Sequence, residues 1–387
     1  MDLAFTPTQQ AFRQEVRSWL AAHLPPAPLT TLECREGYDQ HVAWERELAS
    51  GNWSMVTWPE TYGGRGLDLI EWLIFEEEYW GAGAPLRANQ NGIFLLGPTI
   101  MEYGDDAQKA RFLPPMAAGD VIWAQAWSEP DAGSDMAAIK TTARREGDHY
   151  VINGQKTWSS RAAFADWGFG LFRTEEGSSR HKGLSFLLFD LDTPGITRRP
   201  IRQLHGNPGF AELFFDDVHV PVDNRLAGEG DGWSVAMATA GFERGLMLRS
   251  PGRFQATARR LVDLLRAHRD SASPALREKV VAAWGAAQAY AYNTYMVAAK
   301  IMAGGRIGAE ASLNKIFWSE LDRDMHRTAM LILGAAAELR ERADGAANDW
   351  LEGYIFSLSG PIYAGSNEIQ RNIAAERLLG LPRMGAG

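Results

Sequence analysis

The spacing of hydrophobic residues changes twice along this chain, and that change restricts the possible folds more than any other feature. Near the N-terminus, Phe12, Val16 and Leu20 recur at helical spacing. Thr6 is suited to cap the start of this helix, with Pro7 at its first position. Two further helical patterns follow, in DLIEWLIFEEEYWGAG and GDDAQKARFLPPMAAG. The first third of the chain is therefore predicted to be helical.

The middle of the chain has the alternating pattern of β-strands. The segment HYVINGQKTW places Asn153 and Gly154 between two β-rich runs, which is the strongest short-range indication of a hairpin. Further strand-like runs occur in DWGFGLF, GLSFLLFDL, GITRRPI and AELFFDDVHV, separated by Gly, Pro and charged residues. Several short strands at such spacing predict a small antiparallel barrel or sandwich.

From about Gly232 onward the helical period returns. Long helices are predicted over residues 254–268, 276–302 and 309–337, with a last helix near 368–378. The order of helices, then strands, then helices predicts an α+β protein. Its predicted domains are an N-terminal α-helical domain (1–121), a middle β-domain (122–228) and a C-terminal α-helical bundle (229–387).

The composition restricts the class of protein. A length of 387 residues is enough for two or three domains. The net charge of −9 argues against a nucleic-acid partner, because phosphate binding needs a concentrated positive field. The single cysteine, Cys34, excludes an intramolecular disulfide. We see neither a signal peptide nor a stretch long enough to span a bilayer, so a cytoplasmic protein without a membrane partner is expected. No metal site is expected either.

Two long segments carry the clearest indication of function. The first runs SEPDAGSD…NGQKTW, and its Pro130 and Gly133 indicate either a loop that a ligand can approach closely or an ordinary polar turn. The second is GSNEIQRNIAAERLLGLP, near the C-terminus. Together with FFDDVHVPVDN and GEGDGW between them, these segments resemble the acyl-CoA dehydrogenase family over essentially the whole chain. The resemblance implies that family's three-domain fold, FAD between the β-domain and the bundle, an acyl thioester substrate and a tetramer.

The resemblance also implies which residues contact FAD. The expected contacts come from the first segment and from the start of the second: Trp127, Ser128, Ser134, Trp158, Ser160, Ser366 and Glu368. Trp158 is expected to pack beside the isoalloxazine ring, and Ser160 to approach its N5 edge. Ser366 and Glu368 are expected at the adenine half. From the residues alone, the alternative for Trp158 is a core aromatic side chain at the end of a strand.

One residue departs from the family pattern where the chemistry takes place. Ala364 stands where the family commonly carries the glutamate that removes the substrate's α-proton. The backbone N–H of Ala364 is still expected to polarise the thioester carbonyl, because an alanine keeps that donor. In GFERGLMLRSPG, Glu243 matches a second position for the base and Arg244 a neighbour that can pair with a CoA phosphate. The alternative is an ordinary Glu-Arg pair on a solvated helix face, although Phe242 and Met247 favour a partly buried carboxylate.

Two other departures concern the assembly. The segments LRAHRDSASPALREKV and LILGAAAEL lack the RxxFG-like and Gln-x-x-Gly-Gly motifs with which family members often contact the FAD of a neighbouring subunit. Bacterial dehydrogenases that form mixed tetramers of two related chains, often acting on steroid or other bulky acyl-CoAs, are similar in these places. A homotetramer or a heterotetramer with a related chain is therefore expected.

The resulting functional prediction is an FAD-dependent acyl-CoA dehydrogenase of fatty acid or steroid catabolism. It is expected to form a trans-2,3-enoyl-CoA from a branched or bulky acyl-CoA and to pass electrons to electron-transfer flavoprotein or a similar acceptor. The alternatives are a non-catalytic partner subunit of a heteromeric dehydrogenase and an acyl-thioester oxidase of the same fold. Glu243 favours the dehydrogenase over the partner subunit, because a purely structural subunit has no need of a base.

Overall fold

The computed structural model describes residues 4–244, 250–305, 307–341 and 348–382. Packing divides the chain into two compact units. We call them the helical unit (Met1–Leu24, Asp68–Ala84 and Arg244–Gly387) and the sheet unit (Pro25–Leu67 and Pro85–Glu243). Each unit combines segments that are distant in the sequence, so residues of the predicted N-terminal domain contribute to both.

The described residues form eleven α-helices and eight β-strands. The helices are α1 (Pro7–His23), α2 (Arg35–Ser50), α3 (Leu69–Gly81), α4 (Gly97–Tyr103), α5 (Asp106–Ala117), α6 (Gly232–Arg244), α7 (Pro251–Ala267), α8 (Pro274–Met302), α9 (Ala311–Leu333), α10 (Asp349–Ser357) and α11 (Asn367–Arg377). The strands are β1 (Trp123–Ala126), β2 (Thr142–Glu146), β3 (His149–Ser160), β4 (Trp167–Arg173), β5 (Leu184–Asp190), β6 (Ile196–Ile201), β7 (Phe210–Pro221) and β8 (Arg225–Leu226). Among the described residues, none of the helices has the length and apolar composition needed to cross a bilayer.

Helix α1 confirms its prediction from the sequence. Thr6 Oγ1 accepts a hydrogen bond from the Gln9 N–H at 3.2 Å, and the Gln9 side chain accepts one from the Thr6 N–H at 3.0 Å. This reciprocal pair satisfies N–H groups that the start of a helix leaves without partners. The apolar face of Phe12, Val16 and Leu20 is buried, so the helix is held by packing as well as by its cap.

The helical unit has its core where α7, α8 and α9 pack together. These helices and α11 confirm the predicted segments, with small shifts at their ends. Helix α9 ends earlier than predicted, because Gly334 adopts a left-handed φ of +59° and a short 3₁₀ turn follows. In the core, the Phe254 ring lies 5.5 Å from that of Tyr290 and 6.1 Å from that of Trp318, measured between centroids.

The strands of the sheet unit form one sheet in the order β6-β7-β3-β2-β4-β5-β8, with β1 beside β4. Most neighbouring strands are antiparallel, as predicted, whereas β1 and β2 each pair with β4 in parallel. Three aromatic rings of the interior, Phe172, Phe189 and Phe215, pack together. Each pair of rings meets edge to face, with centroids 5.4, 5.7 and 5.8 Å apart. The loop after β1 and the residues after β3 extend from this sheet.

Asn153 and Gly154 do not form the predicted hairpin. Strand β3 passes through both residues, and the chain turns instead near Gly147, which has a φ of +63°. The Asn153 side chain accepts the Asp217 N–H at 3.0 Å and donates to the Asp217 carboxylate at 2.9 Å. A Cβ on Gly154 would lie 2.7 Å from the Thr141 side chain. The dipeptide therefore forms a β-bulge against β7. A bulge favours the same residue types as a turn, which explains the wrong prediction.

Lys156, in β3, is fully buried, and its ammonium group is fully hydrogen-bonded. Its Nζ donates to Glu129 Oε1 at 2.8 Å, to the Leu171 carbonyl at 2.8 Å and to the Trp127 carbonyl at 3.3 Å. An ammonium group has three donors, so these bonds use all of them. The side chain thereby joins the loop after β1 to both β3 and β4.

The Glu129 carboxylate connects the same loop to a second part of the chain. It accepts the backbone N–H groups of Lys140 at 2.6 Å and Thr141 at 3.0 Å. Burial alone would raise the pKa of the Glu129 carboxyl, but the Lys156 ammonium and these hydrogen bonds hold that pKa below its usual value. Burial lowers the pKa of the Lys156 ammonium, and Glu129 opposes that effect. The pair fixes residues 127–129 against β3 and against the start of β2.

We predict that Lys156→Met lowers the free energy of unfolding by about 3–5 kcal/mol, because it leaves the Glu129 carboxylate buried without its counter-charge. The double variant Lys156→Met/Glu129→Gln should lose less than the single one. Urea unfolding followed by circular dichroism measures both. Arg144→Met is the matched control, since it breaks the exposed Arg144–Glu146 pair of β2 and should leave stability unchanged. Equal stability of Lys156→Met and this control would contradict the prediction.

Candidate active site

The loop after β1 is fixed at its base and open at its tip. At the base, the Ser128 carbonyl accepts the Thr157 N–H at 2.9 Å. At the tip, a Cβ on Gly133 would meet no atom of the described residues within 4 Å, and Ser134 is exposed. A ligand can therefore reach the backbone of this loop without displacing protein atoms.

Trp158 lies in a second bulge of β3, where the register with β7 shifts between Lys156 and Ser159. Its φ of +56° is left-handed, a conformation that bulky side chains rarely adopt. The indole is 59% exposed and meets Phe210 edge-on, with 6.1 Å between ring centroids. Such a backbone costs about 1–3 kcal/mol, and a side chain that is mostly exposed recovers only part of that cost through burial. Both features fit a ring that packs against a bound planar ligand.

Polar groups beside Trp158 also lack protein partners. The Trp127 indole N–H and the Ser159 hydroxyl are buried, and neither has a hydrogen-bond partner among the described residues. Buried polar groups without partners are uncommon in proteins. Ser160, half-buried, follows directly in β3. The exposed indole, the open loop tip at Gly133 and Ser134, and these unused polar groups fit the FAD that the resemblance implies.

Ala364 lies in a short loop of the helical unit that precedes α11. Its φ of +57° and the φ of +76° at Gly365 are both left-handed. The loop is closed by a hydrogen bond of 2.8 Å from the Asn367 N–H to the Pro361 carbonyl. Ala364 is half-buried, and its backbone N–H donates no hydrogen bond to any described residue. This donor is therefore free for an external acceptor.

Ser366 and Glu368 lie at the start of α11. The Ser366 hydroxyl oxygen accepts the Ile369 N–H at 3.3 Å, so Ser366 is the N-cap of the helix. Glu368 is exposed in the first turn, and hydrogen bonds from its own backbone and from Ser366 hold the pKa of its carboxyl below the usual value. Both residues are accessible in the helical unit, as contacts with a nucleotide require.

Glu243 and Arg244 are the last two residues of α6. The side chains of both lie outside the described residues, so their roles as base and phosphate contact stay predictions. The preceding turn of the helix is well anchored in the sheet unit. There, the hydroxyl groups of Thr239 and Thr99 lie 2.9 Å apart, and both side chains are fully buried.

The two segments that lack the family's interface motifs both lie at helix ends. LRAHRDSASPALREKV forms the end of α7, a turn and the start of α8, where Ser273 Oγ accepts the Leu276 N–H at 3.3 Å. LILGAAAEL forms the end of α9 and the 3₁₀ turn after it. Local capping and turn bonds, rather than interface motifs, therefore occupy these positions.

Three buried residues matter to the site without standing out in the sequence: Glu129, Lys156 and Gln370. For the first two, the sequence signal is their opposite charge, with Glu129 in SEPDAGSD and Lys156 in NGQKTW of the first signature segment. For Gln370, the signal is its place one turn after Ser366, from which a side chain can reach back over the start of its helix.

Family models match three consecutive parts of the chain. The model described as acyl-CoA dehydrogenase, N-terminal domain, matches residues 6–120, the middle-domain model matches 124–218, and the C-terminal-domain model matches 230–379. These matches confirm the predicted fold class of a helical part, a β-sheet part and a second helical part.

Curated relatives and solved structures are similar over nearly the full length. The acyl-CoA dehydrogenase IpdE1 of Mycobacterium tuberculosis is 41% identical, with 98% of this chain and 99% of the relative covered. The ChsE4-ChsE5 complex from Mycobacterium tuberculosis is similar in structure, with a TM-score of 0.84, 32% identity and coverage of 99% and 100%. The Tcur3481-Tcur3483 steroid ACAD gives a TM-score of 0.87 at 28% identity, again with 99% and 100% covered.

The three family models, the relative at 41% identity and the two structures agree with the signature segments and with the loops that these segments form. The chain is therefore an oxidoreductase that belongs to the acyl-CoA dehydrogenase family.

Proposed function

We propose that this acyl-CoA dehydrogenase binds FAD and oxidises a branched or bulky acyl-CoA, such as a steroid-derived thioester, to the trans-2,3-enoyl-CoA. The observation that carries the proposal is Trp158, which combines a left-handed backbone with 59% exposure and so fits a side chain that packs on a bound planar ring. The steroid acyl group is supported by the name of one similar structure, a steroid ACAD.

The residues that would hold FAD come from both signature segments. In the sheet unit they are Trp127, Ser128, Ser134, Trp158 and Ser160. In the helical unit, Ser366 and Glu368 would contact the adenine half. When bound, FAD accepts the hydride that leaves the β-carbon of the substrate.

The chain's own residues would move the proton. The Ala364 N–H would donate to the thioester carbonyl, which spreads the charge of the developing enolate and lowers the pKa of the α-proton. The Glu243 carboxylate would take that proton as the bond between the α-carbon and its hydrogen breaks. A carbon–carbon double bond forms as the β-hydride departs. Arg244 would pair with a phosphate of coenzyme A.

The assembly that we propose is a tetramer built with a related chain. One similar structure is that of the ChsE4-ChsE5 complex, and another is the Tcur3481-Tcur3483 steroid ACAD. The two segments without interface motifs agree with this, because in the family these motifs complete a neighbour's FAD site. Electron-transfer flavoprotein or a similar acceptor would then reoxidise the enzyme.

For the cofactor, we predict that Trp158→Ala and Trp158→Gly both weaken FAD binding by at least tenfold, since each removes the packing surface of the ring. Only Trp158→Gly should also raise the thermal stability of the FAD-free protein, because glycine adopts the left-handed backbone without strain. Fluorescence titration with FAD and differential scanning calorimetry test the two effects. A purified protein that takes up no FAD would overturn this prediction and favour the partner-subunit alternative.

For the reaction, we predict that acyl-CoA reduces the bound flavin without oxygen and that Glu243→Gln slows this step by about 10²–10⁴-fold. Stopped-flow absorbance would compare cholyl-CoA, isobutyryl-CoA and octanoyl-CoA, with the bulky or branched thioesters expected to react faster. Glu60→Gln, an exposed carboxylate on a short 3₁₀ turn, is the matched control and should react like the wild type.

The same assay separates the base from its alternatives. Adding Ala364→Glu to Glu243→Gln should restore part of the rate, with preference shifted toward the straight chain. A Glu243→Gln variant that reduces its flavin at the wild-type rate would show that another residue takes the proton. Rapid reoxidation by oxygen, with hydrogen peroxide released, would favour the oxidase alternative.

For the assembly, we predict a mass well above that of one 42.8 kDa chain by multi-angle light scattering. The reason is apolar surface on α8, where Val281 is 70% exposed, Tyr292 56% and Met296 55%. Co-expression with a related dehydrogenase chain should yield a tetramer of both chains, whereas Met296→Glu should weaken it. A monomer mass under both conditions would be decisive against the proposal.

A further inference from the structure

The loop that carries Ala364 is held from inside by the side chain of Gln370, which lies near the start of α11 and is fully buried. Its Nε2 donates to the Gly365 carbonyl at 3.2 Å and to the Ala364 carbonyl at 3.4 Å. Among the described residues, no group donates to its Oε1. The buried amide therefore donates to these two carbonyl groups while its own Oε1 acceptor stays without a partner among the described residues.

These two hydrogen bonds act on the most strained part of the loop. Ala364 and Gly365 are consecutive left-handed residues, with φ values of +57° and +76°. Alanine adopts this conformation only when its surroundings impose it. The two carbonyl groups belong to the peptide planes that follow Ala364 and Gly365. The Ala364 N–H belongs to the peptide before these two. That peptide lies between the Tyr363 N–H, which donates to the Ser359 carbonyl at 3.1 Å, and the Ala364 carbonyl that Gln370 holds. Holding both neighbours restrains its rotation and therefore the direction of the N–H.

The base of the loop is anchored on α9. Asn367 Oδ1 accepts hydrogen bonds from Lys315 Nζ at 2.8 Å and from Ser319 Oγ at 3.2 Å, and all three side chains are buried. The Asn367 N–H closes the loop onto the Pro361 carbonyl. These bonds fix the base of the loop. The peptide groups at its tip are held by Gln370.

We infer that Gln370 is a positioning residue for the polarisation of the thioester carbonyl. It acts through the carbonyl groups of Ala364 and Gly365, and by holding them it restrains the peptide whose Ala364 N–H is free to donate. This inference rests on the proposed function, in which that N–H is the carbonyl donor. It adds a residue outside the reacting groups that determines how well they are aligned.

Two substitutions test the inference. Gln370→Met keeps the approximate size of the side chain and removes both hydrogen bonds. Gln370→Glu keeps the shape, but its carboxylate repels the two carbonyl oxygens, whereas its protonated form donates one hydrogen bond. The matched controls are Asn372→Leu and Asn372→Asp, on the exposed face of the same helix.

The measurements separate positioning from stability. We expect Gln370→Met to slow flavin reduction at saturating cholyl-CoA (or octanoyl-CoA, if only the straight chain reacts) by about 10–100-fold, since a misplaced donor loses most of its effect. The dissociation constants of FAD and thioester should change little. Isotope-edited infrared spectra of the bound thioester, labelled at its carbonyl carbon, should show the C=O stretch moving toward that of the free compound. The Asn372 controls should match the wild type.

Gln370→Glu provides a test that does not depend on the folding of Gln370→Met. Its rate relative to the wild type should rise as the pH falls and the new carboxyl group is protonated, while Asn372→Asp shows no such rise. Wild-type rates and an unshifted C=O stretch in the Gln370 variants, or a flat relative pH profile for Gln370→Glu, would overturn the inference alone. A wild-type protein reduced by none of the thioesters would instead remove the proposed function, and this inference with it.

Discussion

The buried ion pair of Lys156 and Glu129 is the interaction on which the candidate loops of the sheet unit depend. Desolvating two charges is expensive, and an apolar pair of similar volume often stabilises a protein more. Here every ammonium donor is used, and the carboxylate also holds two backbone N–H groups. The pair therefore does what apolar contacts do not, because directional bonds set one register between the loop after β1 and the bulged end of β3. Ser128 and Trp158 keep their relative places as a result.

Two positions that the proposed chemistry uses, Trp158 and Ala364, are among seven described non-glycine residues with a positive φ. Both are non-glycine residues with left-handed backbones, and a neighbouring structural feature holds each in this conformation. For Trp158 this feature is the bulge in β3, fixed by its pairing with β7. For Ala364 it is the Gln370 amide. The fold also uses such a backbone elsewhere, as at Asp217 in β7, so a positive φ alone does not mark a functional residue. At Trp158 it is combined with an exposed side chain, and at Ala364 with an N–H that bonds to no described residue.

Much of the fold follows from the sequence, because period, caps and turn residues act locally. The capping box at Thr6 and the strand runs of the middle segment are examples. The prediction of a hairpin at Asn153 and Gly154 is wrong because of tertiary contacts. Asp217 and Thr141, which lie elsewhere in the sequence, pack against the dipeptide where β3 forms a bulge. The candidate residues Trp158 and Ala364 follow from a family resemblance, but their strain does not. Backbone angles there are imposed by contacts with other strands and helices, which no local pattern records.

An alanine at position 364 is compatible with dehydrogenation because two tasks that a glutamate there would combine are chemically separable. Polarising the carbonyl needs a peptide N–H, which every residue except proline supplies. Removing the proton needs a carboxylate, which any nearby element can supply. Replacing a carboxylate by a methyl group also vacates space, which agrees with a bulky acyl group as the substrate. The requirement that remains at position 364 is geometric, since a donor is useful only at a set distance and angle. In the proposed mechanism the requirement at this position falls on the backbone and on what holds it, so the buried Gln370 amide, one turn into α11, would matter more than the side chain of residue 364.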